Sequence, residues 1–158
     1  MKRIVSTEMV VLAGLLAVPA VAGLEHPMGE TSVPSITDPR LVHLQEFFAE
    51  HNSPLEELVP EFLAAADEND LDWRLLPSIS LVESSGGKFY RNNNVFGWDN
   101  CNRRFSSVRA SIHLVAAQLG NSRLYKDKDV DEILSIYNPR PEYSVRVKSV
   151  MRTIGALN

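Results

Sequence analysis

Between Leu75 and Lys88 an apolar helical run ends in one carboxylate and then breaks into small residues: Leu75-Leu76-Pro77-Ser78-Ile79-Ser80-Leu81-Val82-Glu83-Ser84-Ser85-Gly86-Gly87-Lys88. Leu76, Ile79 and Val82 recur at spacings of three, which marks one face of an α-helix. Glu83 follows Leu76 by seven positions and Ile79 by four, so the spacing predicts that it ends the same inward stripe. A carboxylate on a buried face is costly unless it is paired or protonated. This stretch therefore demands a helix packed deep in a core, and a special environment for Glu83. The bland alternative is a helix-end glutamate turned to water.

The rest of the chain supports a helical fold. Asp38-Pro39 predicts a helix start, with Leu41, Leu44, Phe47 and Phe48 on its apolar face and His51-Asn52 at its end. Ser53-Pro54-Leu55-Glu56 reads as a capping box for a helix running to about Asn69, with Pro60 able to bend it or delay its start. Asp72 is placed to cap the helix that carries Glu83. Ser106 or Ser107 caps a stripe of Val108, Ile112, Val115 and Leu119, closed by Gly120. Asp129, Asp131 and Glu132 suit the start of a helix with Ile133, Ile136 and Tyr137 inward. Pro141-Glu142 opens the last helix, with Tyr143, Val147, Val150 and Ile154 facing in. No alternating strand pattern and no repeat occurs. The expected architecture is all-α, one compact domain of about six helices with a long loop over 85–105.

Before that domain, Lys2 and Arg3, an apolar run from Met9 to Val18, and Ala20-Val21-Ala22 before Gly23 fit a secretory signal peptide over 1–22. The run is too short for an ordinary membrane span, although an uncleaved anchor would also fit. Residues 23–37 read as a flexible linker, which leaves 38–158 as the folded domain. An exported protein with one cysteine, Cys101, has no internal disulfide and must rest on its core. No local signature supports Cys101 with His113 as a nucleophile pair, and histidines at 26, 43, 51 and 113 give no metal spacing. Asp127, Asp129 and Asp131 lack the glycine and glutamate of a calcium loop and read as helix capping. No cofactor is expected.

Net charge is −4, but unevenly spread. Residues 24–72 hold 12 acids against Arg40 alone, whereas 73–158 hold 13 bases against seven acids. The cationic half favours an anionic polymer. Export argues against nucleic acid and for cell-wall glycan bearing carboxylated peptide stems; an ordinary unevenly charged surface is the plain alternative. The loop 85–105 combines Phe89, Tyr90 and Trp98 with asparagines and glycines, a composition suited to sugar ring faces and hydroxyls. A protonated glutamic acid beside such a loop is what glycosidic-bond cleavage needs as a proton donor. Asp99 is the candidate second carboxylate, with a plain turn aspartate as the alternative.

Three stretches in this order resemble lysozyme-like cell-wall enzymes. Leu76 to Lys88 is similar to their catalytic helix ending in Glu-Ser. Asn93-Asn94-Val95-Phe96-Gly97 resembles their asparagine, apolar, phenylalanine, glycine motif. Phe105 to Ile112, with Ile136-Tyr137-Asn138-Pro139-Arg140-Pro141-Glu142-Tyr143, is similar to the closing part of the peptidoglycan N-acetylglucosaminidases, also described as mannosyl-glycoprotein endo-β-N-acetylglucosaminidase-like. The resemblance spans roughly 53–158. It implies a lysozyme-like fold, peptidoglycan as substrate, Glu83 as general acid and Tyr137 as its catalytic partner. It further implies substrate contacts from Ser84, Asn94, Phe96, Gly97, Trp98 and Tyr143. With the leader removed, the expectation is an exported monomer, periplasmic or extracellular, without stable membrane insertion. Asn138 departs from the glucosaminidase pattern and matches the Tyr-Asn pairing of lytic transglycosylases, so hydrolysis and transglycosylation both stand. A glycan-binding module without chemistry, or a structural or inhibitor-like secreted protein using the acidic segment 38–69, are the readings from other classes.

Overall fold

A computed structural model describes residues 38–155; the leader and linker expected over 1–37 lie outside the described residues. Six α-helices occur among them: α1 Pro39–Glu50, α2 Val59–Glu68, α3 Leu75–Ser84, α4 Val108–Asn121, α5 Val130–Tyr137 and α6 Pro141–Thr153. A single 3-10 turn, Glu56–Leu58, precedes α2. No strand is formed among the described residues, only an isolated antiparallel bridge between Arg91 and Asn94. No helix there is long and apolar enough to cross a membrane.

The hydrophobic stripes read from the sequence meet in one core. Phe48 of α1, Phe62 of α2 and Phe96 of the loop form a chain of rings with centroids 5.3 and 6.3 Å apart. α3 runs through the middle, packed on α2 and α6, and α4 packs on α2. Leu75, Leu76, Pro77, Ser78, Ile79 and Ser80 are all buried, so α3 is covered on every side along its first two turns. A stripe on one face was the expectation; the serines let the other faces pack as well.

Several expected details are corrected. The capping box at Ser53 does not form, because Pro60 holds the start of α2 back to Val59. Ser53 is instead buried: its Oγ donates to the Gly86 carbonyl (2.6 Å) and accepts from the Leu55 N–H (3.1 Å). It thereby ties the α1–α2 connection to the turn after Glu83. Asp72 does not cap α3 directly. Its carboxylate accepts the Arg74 N–H and its carbonyl accepts the Leu75 N–H, so it organises the turn that leads into the helix. Ser107, by contrast, caps α4 through the Ala110 N–H at 3.0 Å. Asp129 and Glu132 form a reciprocal capping box at α5, so Asp129 acts as a helix cap as expected.

Gly120 does not end α4, which continues to Asn121. It lies at the crossing of α4 and α2, where a Cβ would stand 2.3 Å from the Asn69 carbonyl oxygen. That neighbour is backbone and cannot turn away, so the two helices approach as closely as they do only because no side chain intervenes. Gly120→Ala is expected to destabilise the domain by about 2–3 kcal/mol, as overpacking does. A denaturant midpoint equal to that of the native chain would sink this account.

Candidate active site

The end of α3 and the tip of the following loop build the site. After Ser84 the backbone turns left-handed at Ser85, Gly86 and Gly87 in succession (φ +54°, +67° and +76°). The Gly86 N–H returns to the Ser80 carbonyl at 3.1 Å, which satisfies the end of the helix. Glu83 is thus the last stripe position, carried past the end of the core. The structure corrects the expectation of a buried Glu83: the residue is exposed, and it opens onto a cavity.

That cavity measures about 380 Å³ and is lined by Glu83, Gly97, Trp98, Asp99, Asn100, Tyr125, Tyr137 and Asn138. Its closest contact is between loop and carboxylate. A Cβ on Gly97 would fall 2.5 Å from Glu83 Oε2, and Gly97 has φ +65°. The backbone conformation disfavours any side chain there, and a Cβ would have to push the Glu83 carboxylate aside. Solvent reaches Glu83 from the cavity, while protein crowds its other sides. This desolvation pushes the carboxyl above its ordinary value, against the pull of the Tyr143 hydroxyl and the Arg146 guanidinium.

The two tyrosines divide their work differently from expectation. The Tyr137 hydroxyl donates to the Phe96 carbonyl (2.5 Å) rather than to Glu83. Burial, with Glu83 as a neighbouring negative charge, pushes the Tyr137 phenol far up, so it remains a donor. Tyr143 is buried behind it, the rings stacked 5.9 Å apart at 8°. The Tyr143 Oη lacks any hydrogen bond of normal geometry, yet is near enough to Glu83 to bias its ionisation. Tyr143 is therefore a group beneath the carboxylate and not a cavity wall. Trp98 and Tyr137 meet edge to face, centroids 5.6 Å apart, and Trp98 approaches Tyr125 at 6.2 Å.

Ser84, Asn94 and Phe96 do not line the cavity, which corrects their expected substrate contacts. Ser84 is buried, with Oγ donating to the Ser80 carbonyl and accepting the Gly87 N–H. Asn94 is the brace of the loop: its amide nitrogen donates to the Trp98 and Arg103 carbonyls, and its oxygen accepts the Trp98 N–H. The Phe96 ring is fully enclosed in the core. Gly97, Trp98, Asp99, Glu83 and Tyr137 do converge on the cavity. Asp99, Asn100 and Cys101 are successive left-handed residues at the tip (φ +53°, +51° and +62°), held by the Cys101 N–H on the Gly97 carbonyl.

Sequence reasoning missed Tyr125 and Asn100 as lining residues. The only signal for Tyr125 was an apolar pair, Leu124-Tyr125, in an otherwise polar connection. Cys101 is half-buried and outside the cavity lining, and His113 pairs with Glu61 of α2 (Nε2 to Oε2, 2.8 Å), so the two do not form a nucleophile pair. No group of three or more potential metal ligands occurs among the described residues.

Two outcomes follow from this geometry. In Gly97→Ala the new Cβ displaces the flexible Glu83 head and adds about 1–2 kcal/mol of left-handed strain. The Glu83 carboxyl signal in a ¹³C NMR titration should then move back toward the ordinary value; an unmoved midpoint in a folded variant would contradict the packing described. The second concerns pH. A carboxyl raised in the folded state binds its proton more tightly there than in the unfolded chain, so its contribution to stability is lost as pH rises through the raised value. Glu83→Gln should therefore melt above the native chain at neutral pH, with the difference closing in acid below the unfolded carboxylate value. A constant difference across pH would show that Glu83 is not perturbed.

Comparison with models of known protein families, with characterised proteins and with solved structures finds no match to this chain.

Proposed function

We propose that this all-α domain is a lysozyme-like glycoside hydrolase that cleaves β-1,4 bonds of N-acetylated cell-wall glycan, with Glu83 as its general acid. The observation that carries this reading is the lodging of one carboxyl, pushed up by desolvation, against Gly97 at an aromatic-walled cavity. Trp98, Tyr125 and Tyr137 offer apolar faces for sugar rings, and Asp99, Asn100 and Asn138 offer polar groups for hydroxyls and N-acetyl amides.

In the proposed reaction a glycan strand lies over the loop tip and covers Glu83, which completes the desolvation that keeps the acid protonated. Glu83 gives its proton to the glycosidic oxygen as the bond to the anomeric carbon breaks. The N-acetyl oxygen of the same sugar assists from within the substrate, an arrangement that needs no second protein carboxylate. Water then adds to the anomeric carbon and returns a proton to Glu83. Tyr137 acts through the backbone: by holding the Phe96 carbonyl it keeps Gly97 against the carboxylate.

Asn138 in the cavity lining beside Tyr137 favours a second reading, lytic transglycosylation, in which the sugar's own hydroxyl attacks and an anhydro end replaces the reducing end. Asp99 lines the same cavity and is the group that would activate water if hydrolysis uses two carboxylates. The leader expected over 1–22 would carry the enzyme out of the cytoplasm to this substrate, where it would act as a monomer.

Glu83→Gln is expected to lower turnover of purified cell walls by roughly 10²–10⁴-fold while wall binding persists. Activity of the native chain should fall as pH rises above the raised Glu83 value, because the acid must carry its proton. If neither protein clears walls but both bind, the domain is a glycan-binding module. Mass analysis of the products separates the two chemistries by their reducing or anhydro ends.

A further inference from the structure

We propose that the base of the 85–105 loop is a second binding surface, an edge that holds the carboxylates of the peptide stems on the same glycan strand. This rests on the cell-wall reading above and extends it from the bond that is cut to the groups flanking it.

Two stretches of the loop form the edge. Lys88-Phe89-Tyr90-Arg91 is exposed along its whole length, with Phe89 at 75% and Tyr90 at 47%. Arg103 and Arg104 are exposed on the returning stretch. The two stretches are laced together: the Phe105 N–H donates to the Asn92 carbonyl (3.0 Å), Asn93 Nδ2 to the Phe105 carbonyl (3.0 Å) and Asn94 Nδ2 to the Arg103 carbonyl (3.2 Å). Lys88 and Phe89 are fixed at the other end, both N–H groups donating to the Ser84 carbonyl at 3.0 Å.

The charges on this edge are unanswered. Lys88, Arg91, Arg103 and Arg104 take part in no ion pair among the described residues; Arg123, Lys126, Arg140, Arg146 and Arg152 are likewise outside the ion pairs, but these four share one braced loop. Asp99 is the sole acid between Ser84 and Val108. Four unpaired cations on one braced segment create a field that self-repulsion disfavours unless an anion answers it. Exposed large aromatics between such cations add flat apolar area, which suits a sugar ring or a stem side chain more than a bare inorganic ion.

The edge approaches the candidate active site at Arg103. A second cavity of about 200 Å³ is lined by Arg103, Phe105, Leu114, Val115, Gln118 and Trp98. Trp98 also lines the cavity at Glu83, so a strand leaving that site past Trp98 reaches Arg103 next. The Arg103 guanidinium is held 5.9 Å over the Phe105 ring, which presents it in place without neutralising it. Stem carboxylates, repeating along the glycan, match cations that repeat along an edge.

The test is sedimentation of the chain with insoluble walls, in a Glu83→Gln background so that nothing is cut. Three wall samples are compared: untreated, with stem carboxylates converted to neutral amides, and with phosphate polymers extracted. Replacing Lys88, Arg91, Arg103 and Arg104 together by Gln should raise the half-saturating wall concentration at least tenfold on untreated walls and flatten its salt dependence. Amidation should weaken the parent chain to the same degree, whereas phosphate extraction should leave it unchanged. Phe89→Ala with Tyr90→Ala, a change at two exposed positions, should weaken binding on all three samples. Equal binding by the four-fold variant and its parent would overturn the edge, as would indifference to amidation; loss on phosphate extraction instead would assign the cations to another polymer and overturn the stem assignment. Because binding is read without cleavage, a Glu83 that proves inert in clearing assays leaves this result interpretable, and an edge that fails leaves the clearing assay standing.

Discussion

Phe96 is the point on which the site depends. Its ring is enclosed in the core against Phe62, its carbonyl receives the Tyr137 hydroxyl, and the next residue touches the Glu83 carboxylate. One residue thus joins three things: the hydrophobic free energy of the core, the C-terminal helices, and the position of the loop tip. Its burial works together with the Asn94 brace and the Tyr137 hydroxyl to hold the glycine against the glutamate. Desolvation of Glu83 is a consequence of this packing, since the loop occupies space that water would otherwise fill.

The same logic explains why the helices are arranged as they are. α3 is too apolar to sit at a surface, so it takes the centre, packed against α6 and α2. The Asn94 side chain then does for the loop what a helix or strand would do by repeating backbone bonds. It satisfies two carbonyls and one N–H from inside the loop, which lets an irregular segment be buried at its root. Ser53 performs a similar service between the α1–α2 connection and the turn after α3. Polar side chains, not regular structure, are what make this part of the domain definite.

Helix existence and the core stripes were legible because periodicity is local: Leu44, Phe48, Phe62, Leu76, Ile79, Ile112 and Val147 are buried where the spacing puts them. What failed was local chemistry that tertiary contacts override. Ser53 looked like a cap and is a tether; Gly120 looked like a terminator and is a helix crossing; Asp72 serves a turn, not a helix end. Of the residues that line the cavity, Glu83 stood out as the end of an apolar stripe and Trp98 and Asp99 through the composition of the loop, whereas Gly97 and Tyr137 came only from the resemblance of their motifs. Asn94 and Phe96 were placed in the right loop with the wrong duty. Sequence does not tell whether an amide or a ring faces inward when the backbone around it has no period. Tyr125 had only the faint signal of the Leu124-Tyr125 pair, in a connection without any period.

The three left-handed residues at the loop tip, Asp99, Asn100 and Cys101, carry a meaning beyond their geometry. Each costs roughly 1–2 kcal/mol relative to an ordinary backbone conformation, and none is a glycine. The chain meets that cost once, on folding, through the bonds that lace the loop. A ligand entering the cavity therefore meets a wall that has already lost its conformational freedom, and has little ordering left to impose on it. On the proposed reading, recognition of a glycan at such a rim would rest on fit more than on closure of the protein around it.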